Sequence, residues 1–444
     1  MSETIDQQIE KAELTKFHLG LLALGSFIYA FTAMNVLLIA TVLTPIIAEF
    51  GLGQQPLAAG LLLSAGYIGM FVGALTCGAL ADRIGRKNTI IFTLSIMTVF
   101  TALNGFAPDP VTMATLRFIA GIGLGGALPQ PGIYISEYVP ARYRGRFLGL
   151  TEASWVYGAL LSLAFPVFLF PTFGWRLTFL ISLLPLVLVP VIYFLAPESL
   201  RYLEVTGRKK EAMSLLKKHK LVPTDFNEEI VKSAPVVRRG LRETLAELWS
   251  PIFRRRTLML WVSWAVLVYT YHGIFTWLPT FYYDALDFTV VRSIQWVLIV
   301  TLAQIPGYYI AALLLDSVGR KKIALIFLGS AGVGSVLLSL ATGPDLILLW
   351  SVVISFFNLG AWSALYAYTP ELYPTRIRGT ASGAAASIGR LAGVVAPTAT
   401  PLLFFYGGLP AAFAAFALVH LAGAMTIALL GIETKGKPLT EISK

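Results

Sequence analysis

Charge is scarce in this chain of 444 residues: 13% are Asp, Glu, Lys or Arg, where soluble domains carry roughly 25%. A water-facing surface cannot be made from so few charges, so most of the exterior must face lipid. Cysteine is nearly absent too. The one residue, Cys77, sits in an apolar run, which excludes an intrachain disulfide and a cysteine-based metal cluster. It reads as a small buried hydrophobe. No His/Cys/acid cluster calls for a metal, no Walker A sequence calls for ATP, and no nucleophile–base set calls for an enzyme. No cofactor is expected. The first 16 residues are polar and mixed in charge, and the apolar stretch after them is too long for a signal-peptide h-region.

What the chain does have is apolar length, 56% of it hydrophobic. A spanning helix needs roughly 20 mostly apolar residues. Twelve such runs are expected, near 18–48, 57–80, 88–107, 110–135, 146–170 and 175–196, then 257–283, 293–315, 322–342, 345–368, 380–406 and 409–431. This predicts an all-α membrane protein of two six-helix bundles, residues 1–196 and 257–444, joined by a polar linker over 197–256. Within the linker, Leu241, Leu245, Leu248 and Trp249 recur at helical spacing, as a helix lying on the membrane surface requires.

The net charge of +10 would by itself suggest nucleic acid, but its placement says topology. Lys11, Lys16, Arg83, Arg86, Lys87, Arg142, Arg144, Arg146, Arg320, Lys321, Lys322, Arg376, Arg378, Lys435, Lys437 and Lys444 fall in the even-numbered loops and at both ends; fourteen more, from Arg201 to Arg256, fall in the linker. Arg176 and Arg292 are on the other side, and only Arg117 and Arg390 fall within spans. The positive-inside rule then puts both termini in the cytoplasm of a multi-pass cell-membrane protein, with lipid and no nucleic acid as its surroundings.

The halves also repeat one another. Gly78-Ala-Leu-Ala-Asp82-Arg83-Ile-Gly85-Arg86-Lys87 matches Ala312-Leu-Leu-Leu-Asp316-Ser-Val-Gly319-Arg320-Lys321. Glu137-Tyr-Val-Pro140-Ala-Arg142-Tyr-Arg144-Gly145 matches Glu371-Leu-Tyr-Pro374-Thr-Arg376-Ile-Arg378-Gly379. Both pairs share one register, as a duplicated unit would. Gly121-x-Gly123-x-x-Gly126 has dinucleotide-fold spacing but lies within a helix with no strand before it, and reads as close helix packing.

On these motifs the chain resembles the major facilitator superfamily, whose loop between helices 2 and 3 carries G-x-x-x-D-R-x-G-R-R/K. The resemblance implies rocker-switch alternating access by a monomer. It also implies a cytoplasmic gate made of Asp82, Arg83, Arg86, Glu137, Arg142 and Glu198, with Asp316, Arg320, Glu371 and Arg376 in the second half. Asp82 is expected to cap a neighbouring helix, and the basic residues to form pairs that break as the halves rock. Pro197-Glu198-Ser199-Leu200-Arg201-Tyr202-Leu203 is similar to an element of sugar porters and organic-ion carriers. Tyr271-His272-Gly273-Ile274-Phe275-Thr276-Trp277-Leu278-Pro279 is similar to helix 7 of nicotinate and aromatic-acid carriers and of the synaptic vesicle protein 2 family.

An ionisable side chain inside a span costs roughly 2.5–3.5 kcal/mol on insertion scales, so each one points to a function. Arg390 offers a planar fork suited to a carboxylate, and organic-anion carriers resembling this chain have Arg there. The competing reading is a structural pair with Glu152. Glu152 could instead take up a proton or pair with Arg117. Proton-coupled relatives carry an Asp in helix 1; this chain has Thr32 and Asn35, which hydrogen-bond but carry no proton. His272 is a further titrating candidate or a neutral site histidine. Tyr271, Tyr308, Trp362 and Tyr366 match aromatic substrate contacts of related carriers, and Trp155, Gln304 and Asn358 complete the expected contact set. The expected function is transport of a small organic anion, aromatic or otherwise, with protons as possible co-substrate. The alternatives are a sugar, polyol or cation carrier, or a non-transporting receptor or scaffold of the same fold.

Overall fold

The computed structural model describes residues 9–10, 12–219, 221–222 and 241–436, apart from the side chains of Ala141, Leu241, Thr375 and Arg376. Lys11, Lys437, Lys444 and part of the basic linker therefore lie outside the described residues, as does the Arg376 side chain. Ten long apolar helical stretches run through the chain. Two of them, Arg142–Leu195 and Ile377–Leu430, are helix pairs parted at Gly174 and Gly408, whose φ of 70° and 66° only glycine adopts cheaply. Twelve spans result: α1 Lys16–Glu49, α2 Pro56–Ile84, α3 Arg86–Phe106, α4 Pro110–Tyr138, α5 (142–173) and α6 (175–195), then α7 Arg254–Leu286, α8 Val290–Val318, α9 Arg320–Ser339, α10 Pro344–Glu371, α11 (377–407) and α12 (409–430). The expected spans are all present, half of them longer by a turn or more.

Small residues decide how closely the helices approach. A Cβ on Gly73 would stand 2.0 Å from the carbonyl oxygen of Ile122, and one on Gly125 would stand 1.9 Å from that of Met70. The α2 and α4 backbones therefore touch, and the mid-helix glycines near 121–126 serve packing. The halves meet most tightly at the end of the bundle away from the basic loops. There a Cβ on Gly60 of α2 would lie 2.6 Å from Thr398 Cα of α11. Ser64 Oγ donates to the Val394 carbonyl at 2.7 Å, and Thr44 and Thr280 hydroxyls lie 3.1 Å apart across α1 and α7.

The basic end is braced within each half. Arg86 reaches Asp82 at 3.0 Å and Glu137 at 3.5 Å, while Arg320 reaches Asp316 at 3.0 Å and Glu371 at 3.1 Å. The helix cap expected of Asp82 is supplied by Glu198, whose carboxylate accepts from the Lys87 amide at 3.1 Å. Asp82 instead stays largely exposed, at the end of α2, and pairs with Arg86 across the turn at Gly85. Glu433 caps α9 in the same manner, accepting from the Arg320 amide at 2.9 Å. Ser199 donates to Glu137, and Thr434 donates to Glu371 at 2.6 Å, so 198–199 and 433–434 are counterparts. Arg142 donates to the Ala12 carbonyl at 3.0 Å, and the Arg83 side chain is exposed. No ion pair among the described residues crosses from one half to the other at this end. The motif acids and bases thus pair within each bundle: Arg86 meets Glu137, as expected of the motif's basic residues, while Glu198 meets the Lys87 amide.

Gly85 shows why the motif needs its glycine. Its φ is 93°, and a Cβ there would stand 2.3 Å from the Glu198 carboxylate. Gly85→Ala is expected to lower stability by about 1–3 kcal/mol, read as a lower thermal midpoint in detergent, because both the conformation and the cap are lost. An unchanged midpoint would show that the cap contributes nothing.

Candidate substrate cavity

A cavity of about 250 Å3 lies between the halves near their middle. From the first half it is walled by Tyr29, Tyr67, Met70, Leu128, Pro129, Glu152 and Trp155; from the second by Trp264, Val268, Tyr271, His272, Tyr308, Leu359, Trp362, Tyr366, Ala386, Arg390 and Gly393. It therefore holds one guanidinium, one carboxyl and a largely aromatic wall.

Eight of the twelve expected contact residues line it: Arg390, Glu152, Trp155, Tyr271, His272, Tyr308, Trp362 and Tyr366. Four do not. Thr32 bonds back to the Ile28 carbonyl at 2.7 Å inside the first half. Asn358 donates to Thr270 Oγ1 at 3.0 Å and faces His420 inside the second half. Gln304 is buried behind Tyr271, whose hydroxyl lies 3.5 Å from its Oε1. Asn35 lines a smaller space with Arg117, apart from the cavity that holds Glu152. Helical periodicity cannot tell the seam between halves from the inside of one bundle, and these four polar residues face the latter. Trp277 likewise packs within its own half, donating to the Pro397 carbonyl at 3.2 Å.

Tyr29, Tyr67 and Trp264 are wall residues that the sequence did not single out. Tyr29 donates a short hydrogen bond to Glu152, and its hydroxyl lies 3.4 Å from that of Tyr366 across the seam. Tyr67 bonds His272 Nδ1 at 2.8 Å, and Trp155 donates to the Tyr271 hydroxyl at 2.7 Å. The Tyr29–Tyr366, Tyr67–His272 and Trp155–Tyr271 contacts join one half to the other. Trp264 stands edge-on to both Trp362 and Tyr366, 5.5 and 5.4 Å between ring centres. An aromatic residue in an apolar span gives no sign of its direction, so nothing in the sequence marked these three.

Glu152 is engaged by tyrosines, not by an arginine. Among the described residues no carboxylate lies within ion-pair distance of Arg390, and its half-buried guanidinium faces the cavity alongside Tyr366. The structural pair weighed for Arg390 and Glu152 is not formed in this arrangement.

The way in is on the basic side. Gly145 and Gly149 precede Glu152 by seven and three residues, and Gly379 and Gly383 precede Ala386 by the same steps, so each set shares one helix face with cavity residues. A Cβ added at any of these four glycines would meet nothing within 4 Å. On the opposite side the α2–α11 contacts at Gly60 and Ser64 close the seam.

Two pseudo-equivalent six-helix bundles around a central, largely aromatic cavity, open to one side, define a membrane carrier of the two-domain type. The chain belongs to the Major Facilitator Superfamily, matching it over residues 22–397 and 291–443. It is 40% identical to the niacin transporter of Acinetobacter baylyi over 98% of both chains. It is 33% identical to a putative niacin/nicotinamide transporter of Bacillus subtilis, over 94% of this chain and 96% of that one. It is 27% identical to the synaptic vesicle 2-related protein of Xenopus laevis, over 99% of this chain and 82% of the relative. Among solved structures it resembles the partially occluded inward-open xylose transporter XylE from E. coli, with a TM-score of 0.78 at 17% identity over 96% of this chain and all of that one. At that identity the likeness speaks for the fold alone.

Proposed function

We propose that this protein is a secondary transporter of a small aromatic monocarboxylate of the nicotinate type, working by alternating access in the cell membrane with its basic face in the cytoplasm. The observation that carries this reading is Arg390: a permanent cation facing a midplane cavity with no carboxylate partner among the described residues. A guanidinium fork matches a carboxylate in shape and charge. The aromatic wall around it suits a flat ring, and a space of about 250 Å3 suits a small one. Two relatives carry niacin in their names, and niacin is such an acid.

Glu152 gives the carrier a means of coupling to protons. With Glu152 ionised, a bound carboxylate leaves the cavity with one cation and two anions; with Glu152 protonated, the charges cancel. A proton taken up at Glu152 therefore accompanies the anion, and Tyr29 and Tyr366 hold the carboxyl in place.

Uptake of labelled nicotinate into proteoliposomes, with and without an inward proton gradient, tests both parts. The expected result is uptake that an acidic exterior accelerates. Glu152→Gln is expected to keep exchange of nicotinate across the membrane but to lose about tenfold or more of the gradient-driven uptake. Gradient stimulation that survives in Glu152→Gln would remove this residue from coupling, and failure to bind or carry any aromatic carboxylate would sink the substrate reading.

A further inference from the structure

Buried polar groups that the cavity does not use gather in a second, smaller space inside the first half. It is about 10 Å3, room for roughly one water molecule. Asn35 of α1, Tyr67 of α2, Asn104 of α3 and Arg117 of α4 line it. All three polar side chains are buried: Asn35 is 2% exposed, Asn104 1% and Arg117 8%. Oδ1 of each asparagine and Nε of Arg117 are buried there with no hydrogen-bond partner. Both asparagine amide nitrogens are already committed, to the Phe31 and Phe100 carbonyls at 3.0 and 2.7 Å.

Among the described residues no carboxylate lies within ion-pair distance of Arg117, and its surroundings are amides and the Tyr67 phenol. The place is nevertheless built for a guanidinium: a Cβ on Gly66 would stand 3.0 Å from Arg117 Nη2, so glycine there makes room for it. Tyr67 and Met70 line both this space and the substrate cavity, so both stand in the wall between them. The Tyr67 hydroxyl continues to His272 on the far wall.

We propose that Arg117 is a specificity-determining residue acting from outside the cavity. Its uncompensated charge raises the cavity's electrostatic potential through the Tyr67 wall and favours anions, and Asn35 is the residue that leaves it uncompensated. The proposal rests on the anion reading above and extends it. With His272 neutral and Glu152 protonated, as the coupling above has it, Arg117 adds its charge to that of Arg390 and the interior is positive. A monocarboxylate lowers that charge, and an uncharged analogue does not. A unit charge about 10 Å away across an effective dielectric constant near 20 changes affinity for a monoanion by roughly tenfold.

The test compares nicotinate with nicotinamide, which has a similar ring and no charge, in equilibrium binding to the purified full chain. Arg117→Gln removes the charge. Asn35→Asp keeps the guanidinium and sets a carboxylate against it, at nearly the same volume. Both variants are expected to bind nicotinate about tenfold more weakly while nicotinamide binding stays within about twofold. A role confined to packing would move both ligands together. Should Arg117→Gln fail to fold, Asn35→Asp decides alone, since it keeps the side-chain volume and supplies the missing counter-charge, giving up only the hydrogen bond to the Phe31 carbonyl. A nicotinate-to-nicotinamide preference that is intact in Asn35→Asp overturns the inference and leaves the anion reading standing. A wild-type protein with no such preference overturns both.

Discussion

Arg390→Gln is expected to lower nicotinate uptake by at least about thirtyfold, mostly through weaker binding, and to leave a neutral ring compound of the same size bound within a few-fold. Removing one partner of a desolvated, hydrogen-bonded charge pair costs about 2–5 kcal/mol, and the lower end of that range is already a factor of about thirty. Arg390→Lys keeps the charge but gives up the planar fork, so it should recover part of the affinity and not all. That graded order, Arg above Lys above Gln, is what separates carboxylate recognition from a merely structural arginine. The structure gives no reason to expect the variants to unfold, because Arg390 braces no acid among the described residues and faces the cavity. Equal uptake of nicotinate by wild type and Arg390→Gln would end the proposed substrate class. Uptake retained by Arg390→Gln only for uncharged solutes would support it from the other direction.

Much of this was legible from the sequence because the membrane forces a strong signal. A span needs about twenty apolar residues whatever its neighbours are, so all twelve helices showed, and the Asp82–Arg86 and Asp316–Arg320 motifs set the register of the repeat. Arg390 and Glu152 showed because ionised groups are rare in spans, and both line the cavity. Direction around a helix was less legible. In a soluble bundle the polar face announces the outside; here lipid and core are both apolar, so Asn358 and Thr32 looked like Tyr271 and Trp362 as candidate contacts. The structure turns the first two into their own bundles, where they satisfy carbonyls and side-chain acceptors. Glu433 was missed for a different reason. Its counterpart Glu198 lies 235 residues earlier, one step out of the 234-residue register of the other motifs, and the short run Glu433-Thr434 resembles Glu198-Ser199 only in chemistry. The Arg117 space was partly readable, since the missing helix-1 acid was visible. That Asn35 and Arg117 would share one pocket was a matter of fold.

The second large effect is expected at the glycines of the open side. Gly149 of α5 and Gly383 of α11 hold the same place in their two halves, each one turn from the cavity on its helix face, and neither meets any atom within 4 Å of an added Cβ. At the closed end of the seam the reverse holds: Gly60 leaves no room at all beside α11. Glycine at an exposed helical position costs about 1 kcal/mol relative to Ala, so bare glycines facing open space call for a reason. Alternating access supplies one, since the open end must approach its partner as closely as the Gly60 end does now. Gly383→Trp is therefore expected to fold normally and to bind nicotinate within about threefold of wild type, because the indole has space in this arrangement. It should stop transport by at least about a hundredfold, because forcing extra bulk into a packed contact costs 1–3 kcal/mol even for a few methylenes, and an indole is far larger. Binding by calorimetry alongside uptake in proteoliposomes reads the two quantities separately. Transport at the wild-type rate in Gly383→Trp would mean that this face never closes, and the rocking of two rigid halves would have to be given up for this protein.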